Sequence, residues 1–362
     1  MVEPQRVAFL LHDIGGGGAE RLTIDLMAGL IARGVQVDLL LQSYFGEFMH
    51  LVPPEVTMID LAAPRIRNVF KPLRRYLAEA RPDCLVAAMW PSPVVALVAR
   101  PIGGRQTRVI ASEHCPLQSQ YAHSPLTLAA LHLSMRAFYR FASARIGVSR
   151  GVAQEVARFS ALPSDAVSVV YNPVPPPLCS DQPGDALWQG KPGKRILTVG
   201  RLKSAKNQAL LLEAFARHVC DHEAVLAIVG VGPLSDDLAA HALRLGIADK
   251  VLFPGFRVTP GDWYSSADLF VLSSDYEGFG NVVVEALHFG LPVVSTDCPY
   301  GPAEILGEGR WGRLVPVGDA AALAAGMAEA LAAPVDVAAL RARAAEFSVE
   351  RAVDGYCCAM QV

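Results

Sequence analysis

Two glutamates eight positions apart, Glu277 and Glu285, bracket a glycine-rich turn. They lie in the run Ser273-Ser274-Asp275-Tyr276-Glu277-Gly278-Phe279-Gly280-Asn281, which continues to Val284-Glu285. Residues 268–272, just before it, read as a buried strand. The order is strand, acidic turn, glycines, helix start. A helix start offers unpaired backbone N–H groups and a partial positive charge, both suited to phosphate. On this reading Glu277 stands at the strand's carboxyl end. Glu285, about two turns into the helix, points back toward the same crevice. Backbone donors for phosphate beside carboxylates for hydroxyls are the chemistry of a nucleotide-sugar site.

Other loops repeat the arrangement. The first strand ends in Leu11-His12-Asp13-Ile14, followed by Gly15, Gly16, Gly17 and Gly18, then Ala19-Glu20-Arg21. Glycines let backbone approach a ligand at a helix N-terminus. Glu20 breaks the dinucleotide spacing and no P-loop spacing is present, so a plain strand–helix turn stays open. Thr198-Val199-Gly200-Arg201-Leu202-Lys203-Ser204-Ala205-Lys206-Asn207 is again strand, glycine turn, helix. Arg201 and Lys206 would serve a diphosphate leaving group, on which charge grows as its bond breaks. The alternative is a solvated helix start carrying an unfavourable charge against the dipole. Asp297 to Glu304 forms another carboxyl-end loop, although Glu304 also fits an ordinary first helical turn. His114, in Ser112-Glu113-His114-Cys115, follows a strand and reads equally as structural or functional. Gly147-Val148-Ser149-Arg150-Gly151 matches G-x-S-x-G. A helix N-cap is the simpler role for Ser149, since the downstream His218, His222, His241 and His288 have no distinctive setting. Arg65, Arg67, Lys71, Arg74 and Arg75, interleaved with Val69, Phe70, Leu73 and Leu77, fit either an anionic lipid surface or a solvated helix face.

The elements that must hold these loops follow from the apolar runs. Candidate strands are 7–11, 35–41, 84–88, 108–111, 145–148 and 168–171, then 195–199, 225–229, 251–253, 268–272 and 292–296. Continuous apolar strands separated by amphipathic helices predict parallel sheets covered on both faces. The pattern runs through the chain twice, and 362 residues favour two domains. Asn172-Pro173-Val174-Pro175-Pro176-Pro177 marks the boundary, since proline extends neither a helix nor a central strand. The last helical run, 349–360, could pack on either domain.

With 52% hydrophobic and 19% charged residues the chain reads as globular, and a net charge of −3 argues against nucleic acid as a partner. Residues 1–170 hold 17 of the 32 Lys/Arg and 13 of the 35 Asp/Glu, a balance of +4, leaving −7 for the rest. A basic first half would suit an anionic surface or acceptor. Seven cysteines without C-x-x-C fit a reducing compartment and no structural zinc. No signal-peptide pattern or spanning apolar stretch is apparent, so a cytoplasmic protein, free or lying on a membrane surface, is expected.

Together these residues resemble the retaining glycosyltransferases of family 4, the group 1 transferases of GT-B fold. Glu277 and Glu285 resemble the family's E-x7-E pair. Gly200-Arg201-Leu202 with Lys206-Asn207 is similar to its G-R-L…K-N/G segment, and Gly17-Gly18-Ala19-Glu20-Arg21 to its N-terminal loop. Val148-Ser149 and Tyr171-Asn172-Pro173-Val174 also fit, and Thr296 to Leu306 looks like members that build bacterial surface polysaccharides. The resemblance implies an α/β protein of two Rossmann-like domains facing across a cleft. An acceptor-binding domain would span 1–175 and a nucleotide-sugar domain 190–348, with 349–362 returning to the first. It implies that Arg201 and Lys206 bind the donor diphosphate, and that Glu285 holds ribose hydroxyls. Glu277 and the backbone of Gly278, Phe279, Gly280 and Asn281 would hold the sugar and phosphate. Gly17 and Gly18 would meet the phosphate, and His114 the transferred sugar. The expected reaction is retaining transfer from a UDP- or GDP-sugar to a glycan or polyprenyl-diphosphate-linked acceptor. The leaving diphosphate can take the acceptor's proton, and no cofactor or metal is called for. The rivals are a serine hydrolase using Ser149 and a non-catalytic nucleotide-sugar-binding protein.

Overall fold

Runs of Val, Ile, Leu and Ala make the strands of the computed structural model, because a parallel sheet covered on both faces leaves its strands no wet side. The structure describes residues 5–15, 17–104, 106–180, 184–219 and 222–362. They gather into two units. One ends at Pro173 and resumes for 348–362; the other is Val174–Phe347.

The first unit carries β1 (Arg6–Leu11), α1 (Gly18–Ile31), β2 (Gln36–Leu41), β3 (Thr57–Asp60), α2 (Phe70–Ala80), β4 (Cys84–Ala88) and α3 (Ser92–Gly103). β5 (Arg108–Glu113), α4 (Leu117–Tyr121), α5 (Pro125–Phe138), β6 (Ala144–Gly147), α6 (Arg150–Ser160) and β7 (Ser168–Val169) follow. The sheet is parallel, in the order β3-β2-β1-β4-β5-β6-β7. Its order reverses between β1 and β4, which are in register from Val7↔Cys84 to Leu10↔Ala87.

The second unit carries α7 (Gly184–Leu187), β8 (Lys194–Val199), α8 (Gln208–His218), β9 (Ala224–Val229), α9 (Ser235–Arg244), β10 (Val251–Gly255) and α10 (Gly261–Ser266). Then come β11 (Leu269–Leu272), α11 (Asn281–His288), β12 (Val293–Thr296), α12 (Pro302–Ile305), β13 (Arg313–Val315), α13 (Ala320–Ala332) and α14 (Val337–Ala345). This sheet too is parallel, ordered β10-β9-β8-β11-β12-β13, and reverses between β8 and β11. In open α/β sheets, ligands bind outside the carboxyl ends of the strands at such a reversal.

The last helix, α15 (Val349–Met360), starts at Ser348, whose side chain accepts from Arg351 N. Its Ala352, Val353, Tyr356 and Met360 join the core of the first unit with Val7, Phe9, Leu26 and Met27. β3 and β13 are absent from the strand candidates. Both lie at sheet edges and are short and largely half-exposed, so neither shows a continuous apolar run. Trp188 is fully buried, meets Trp263 edge-on at 5.3 Å, and donates its indole N–H to Ser266 Oγ at 2.9 Å. No single helix among the described residues is long and apolar enough to cross a membrane.

Candidate active site

In the second unit the loops after β8 and β11 interlock at the strand reversal. The β8 loop makes a short 3-10 turn, Ser204–Lys206, and ends in Asn207 in the left-handed region (φ 43°, ψ 48°). Asn207 caps α8 by accepting from Leu210 N at 3.2 Å, and its amide donates to Asp275 Oδ1 at 2.8 Å. Asp275 N donates to Ala205 O (2.9 Å), and Ser273 Oγ to Lys206 O (3.0 Å). Across this junction Lys206 Nζ meets Glu277 Oε1 at 2.5 Å. The same oxygen accepts from Ser274 Oγ at 2.7 Å. The Glu277 main chain is held from the other side, with its N–H on Pro299 O (2.7 Å) and its carbonyl taking Tyr300 N–H (2.6 Å). Thr296 Oγ1, at the end of β12, donates to Ser274 O at 2.6 Å. Three carboxyl-end loops therefore fix one carboxylate and one ammonium. Gly230, after β9, makes the neighbouring approach possible: a Cβ there would lie 2.0 Å from Gly200 O.

The remaining expected residues of this unit are placed as follows. Arg201 is exposed; its carbonyl accepts from Gln208 Nε2 at 3.0 Å. Gly278 is half-buried, and Phe279 is buried edge-on to Phe347 at 5.4 Å. Gly280 takes φ 99° immediately before α11, a conformation that side chains resist, and Asn281 is the helix's first residue. The helix therefore starts later than the spacing implied. Glu285 lies about one turn into it, not two, because Glu277 to Gly280 are loop. Glu285 Oε2 accepts from Tyr264 Oη at 2.7 Å. Tyr264 is fully buried in α10 and stacks on Phe289 at 5.7 Å, so it holds that carboxylate oxygen from a rigid base. No motif pointed to Tyr264, and Asp275 and Thr296 stood within motif runs without an assigned role. Asn207 and Ser274 stood inside quoted runs without an assigned role.

In the first unit, Gly17 is extended (φ −98°) as the cap residue of α1, and Gly18 opens the helix. Gly17 N–H is turned onto Gly15 O at 2.8 Å. A Cβ on Gly17 would lie 2.1 Å from Glu20 Oε2. Gly16 lies outside the described residues. His114 follows β5 and is buried; Ser112 Oγ lies 3.0 Å from its Nε2, and Tyr356 Oη of α15 lies 2.8 Å from Ser112 Oγ. Burial pulls the His114 pKa down to about 4. Glu113, on the opposite face of the strand, takes hydrogen bonds from Tyr139 Oη and from Trp90 N at 3.1 Å. Burial pushes its carboxyl up to about 7, against those two bonds.

Two of the weaker motifs have structural explanations. Ser149 is fully buried and caps α6, its Oγ accepting from Val152 N at 3.2 Å. Gly147 is needed because a Cβ would sit 2.5 Å from Ala153 N. The G-x-S-x-G run is thus a tight strand–helix junction rather than a nucleophile elbow. In the basic segment, Val69, Leu73 and Leu77 are fully buried and Phe70 is half-buried, so three of the four apolar residues among those arginines form core rather than a lipid-facing stripe.

The chain matches two family models, "Glycosyltransferase Family 4" over residues 16–177 and "Glycosyl transferases group 1" over residues 193–333. It is 26% identical over 323 residues to the Campylobacter jejuni N-acetylgalactosamine-N,N'-diacetylbacillosaminyl-diphospho-undecaprenol 4-alpha-N-acetylgalactosaminyltransferase, with 86% of each chain covered. The lipopolysaccharide outer core galactosyltransferase WaaB superposes with a TM-score of 0.76 at 20% identity, covering 99% of both chains. Anabaena HepE in complex with UDP superposes with a TM-score of 0.74 at 23% identity, covering 99% of this chain and 95% of that one. The two family matches take in both units, and the chain belongs to the family 4, group 1 glycosyltransferases of GT-B fold.

Proposed function

We propose that the protein is a retaining transferase moving a hexose-type sugar from a nucleoside-diphosphate sugar, UDP- or GDP-linked, to a glycan acceptor on a polyprenyl diphosphate, in bacterial surface-polysaccharide synthesis. The observation that carries this reading is the interlocked junction of Lys206, Glu277, Ser274 and Asn207 at the β8/β11 reversal. Lys206 has three N–H donors, so it can keep Glu277 and still reach a phosphate oxygen. Arg201 adds an exposed guanidinium on the same loop. The backbone at the start of α11 faces the same task, and Glu285, steadied by Tyr264, suits ribose hydroxyls. In the reaction the bond from the anomeric carbon to the diphosphate breaks, and one to the acceptor oxygen forms on the same face. The acceptor's proton passes to the departing diphosphate, whose charge Arg201 and Lys206 offset without need of a divalent ion.

Relatives support the finer choices. The Campylobacter jejuni relative is named for a diphospho-undecaprenol acceptor, and HepE has been solved with UDP and with UDP-glucose. A peripheral place at the cytoplasmic face of the membrane follows from a lipid-linked acceptor. Helix α5 suits it better than α2. Leu126 and Leu133 are exposed on α5, Phe141 just after it, and Ile102 on the neighbouring α3, with Arg136 and Arg140 alongside. The test is transfer itself: UDP- and GDP-sugars incubated with a polyprenyl-diphosphate glycan, with and without a chelator. Expected are release of nucleoside diphosphate only with acceptor present, a product of unchanged anomeric configuration, and insensitivity to the chelator. An inverted product would refute retention, and donor binding without turnover on any acceptor would favour a binding protein.

A further inference from the structure

The His114 imidazole ends a buried chain of hydroxyls that begins on the last helix. Ser112 is 0%, Tyr356 2% and His114 8% exposed. Ser112 and His114 share one face of the β5 extension, as residues two apart do. Tyr356 Oη lies 2.8 Å from Ser112 Oγ, and Ser112 Oγ 3.0 Å from His114 Nε2. Neither hydroxyl has another hydrogen-bond partner among the described residues. His114 Nδ1 is buried and meets no partner among them.

Counting hydrogens selects one arrangement. Burial pushes the Tyr356 phenol up to about 12, so it keeps its proton, and that proton has Ser112 Oγ as its acceptor. The Ser112 hydrogen then has His114 Nε2 as its acceptor, so Nε2 must carry the lone pair. The ring is neutral above about pH 4, and its single proton sits on Nδ1. The reverse direction, Nε2–H to Ser112 to Tyr356, would leave the phenolic hydrogen and Nδ1 both unmet. The chosen direction leaves only Nδ1–H.

We propose that Tyr356 and Ser112 are positioning residues that lock His114 as its Nδ1–H tautomer, presenting a preset N–H donor to an oxygen of the bound substrate. The glycosyltransferase reading supplies only the identity of that oxygen, a sugar hydroxyl. The tautomer follows from this chain's packing alone.

The test uses full-length protein with 15N-labelled histidine rings. His114→Gln identifies the His114 resonances in long-range proton–nitrogen spectra of the unliganded protein. Expected is a single tautomer, with Nδ1 in the protonated and Nε2 in the lone-pair range. Tyr356→Phe and Ser112→Ala should each shift both nitrogens toward averaged values. In the transfer assay each should lower kcat/KM about tenfold, a small barrier change of the size one misaimed donor produces. A variant that loses thermal stability yet keeps the wild-type tautomer would show a merely structural role and overturn the proposal. A wild-type ring protonated on Nε2 would overturn it outright. If Tyr356→Phe does not fold, Ser112→Ala carries the same reading. Failure of the wild-type protein to transfer any sugar would sink the transferase mechanism while leaving the tautomer result standing, so the two failures are distinguishable.

Discussion

Lys206→Met should destabilise the second unit more than Glu277→Gln, and the double variant should restore stability without restoring donor binding. The carboxylate is the more buried end: the side chains are 10% exposed for Glu277 and 19% for Lys206. Without Lys206, the engaged oxygen of Glu277 keeps only Ser274 Oγ of its two side-chain partners. Breaking a buried ion pair at one partner costs 3–5 kcal/mol, and the half-open ammonium end places this one at about 3 kcal/mol. Glu277→Gln leaves an amide that can still accept from Ser274 and a lysine that can turn to water, a loss of about 1 kcal/mol. Independent effects would sum to about 4 kcal/mol. The double variant should lose only about 1–2 kcal/mol, because neither charge is then left alone, giving a coupling of about 2–3 kcal/mol. Tryptophan fluorescence in urea reads this unit, since Trp188, Trp263 and Trp311 lie in it. Donor affinity measured by calorimetry should be weakened in all three proteins. Additive stability losses, or a larger loss for Glu277→Gln than for Lys206→Met, would refute the pairing argument. A double variant that recovered donor affinity would show that these charges serve the fold alone.

Glu285→Ala should weaken donor binding by about 1.5–3 kcal/mol, the worth of a charge-assisted hydrogen bond, and Tyr264→Phe by about 1 kcal/mol through lost orientation. Calorimetry giving equal affinities in folded variants would remove the ribose assignment. Glu113 releases its proton near pH 7 when folded but near 4.5 in the ordinary range, so folding takes up a proton between those values. Its stabilisation is therefore full below pH 4.5 and is lost as pH rises through about 7, by about 3 kcal/mol in total. Wild type minus Glu113→Gln stability should fall by that amount from pH 4.5 to 8, and a pH-independent difference in urea midpoints would refute it; His114, whose lowered pKa gives the opposite slope, is common to both proteins. Leu126→Glu with Leu133→Glu should release the protein from anionic vesicles at low salt while leaving soluble-donor affinity unchanged. Equal vesicle co-sedimentation would move the membrane-facing surface elsewhere. Ser149→Ala should cost about 1 kcal/mol as a lost helix cap and leave transfer activity in place. A loss of several orders of magnitude would revive the nucleophile reading.

Most of this protein's local organisation is legible along the chain. Val/Ile/Leu runs without alternation specify strands buried on both faces, and the glycines after them specify where strands hand over to helices. Both are short-range facts of backbone and hydration, so parallel α/β architecture and the carboxyl-end loops could be read directly. The edge strands β3 and β13 escaped because an edge needs no continuous apolar run. The α2 segment shows a different limit: an amphipathic pattern asks for an apolar neighbour without naming it, and core and lipid satisfy it equally. Only packing showed Val69, Leu73 and Leu77 turned inward and Leu126 and Leu133 turned out. The site's connections were also beyond local reading. Lys206 and Glu277 stand 71 residues apart, and Ser112 and Tyr356 stand 244 apart. They meet because β8 and β11 became neighbours in the sheet, and because α15 took its place in the core of the first unit. The residue types carried the chemistry in the sequence, but which hydrogen bond each side chain makes was decided by strand order and helix docking.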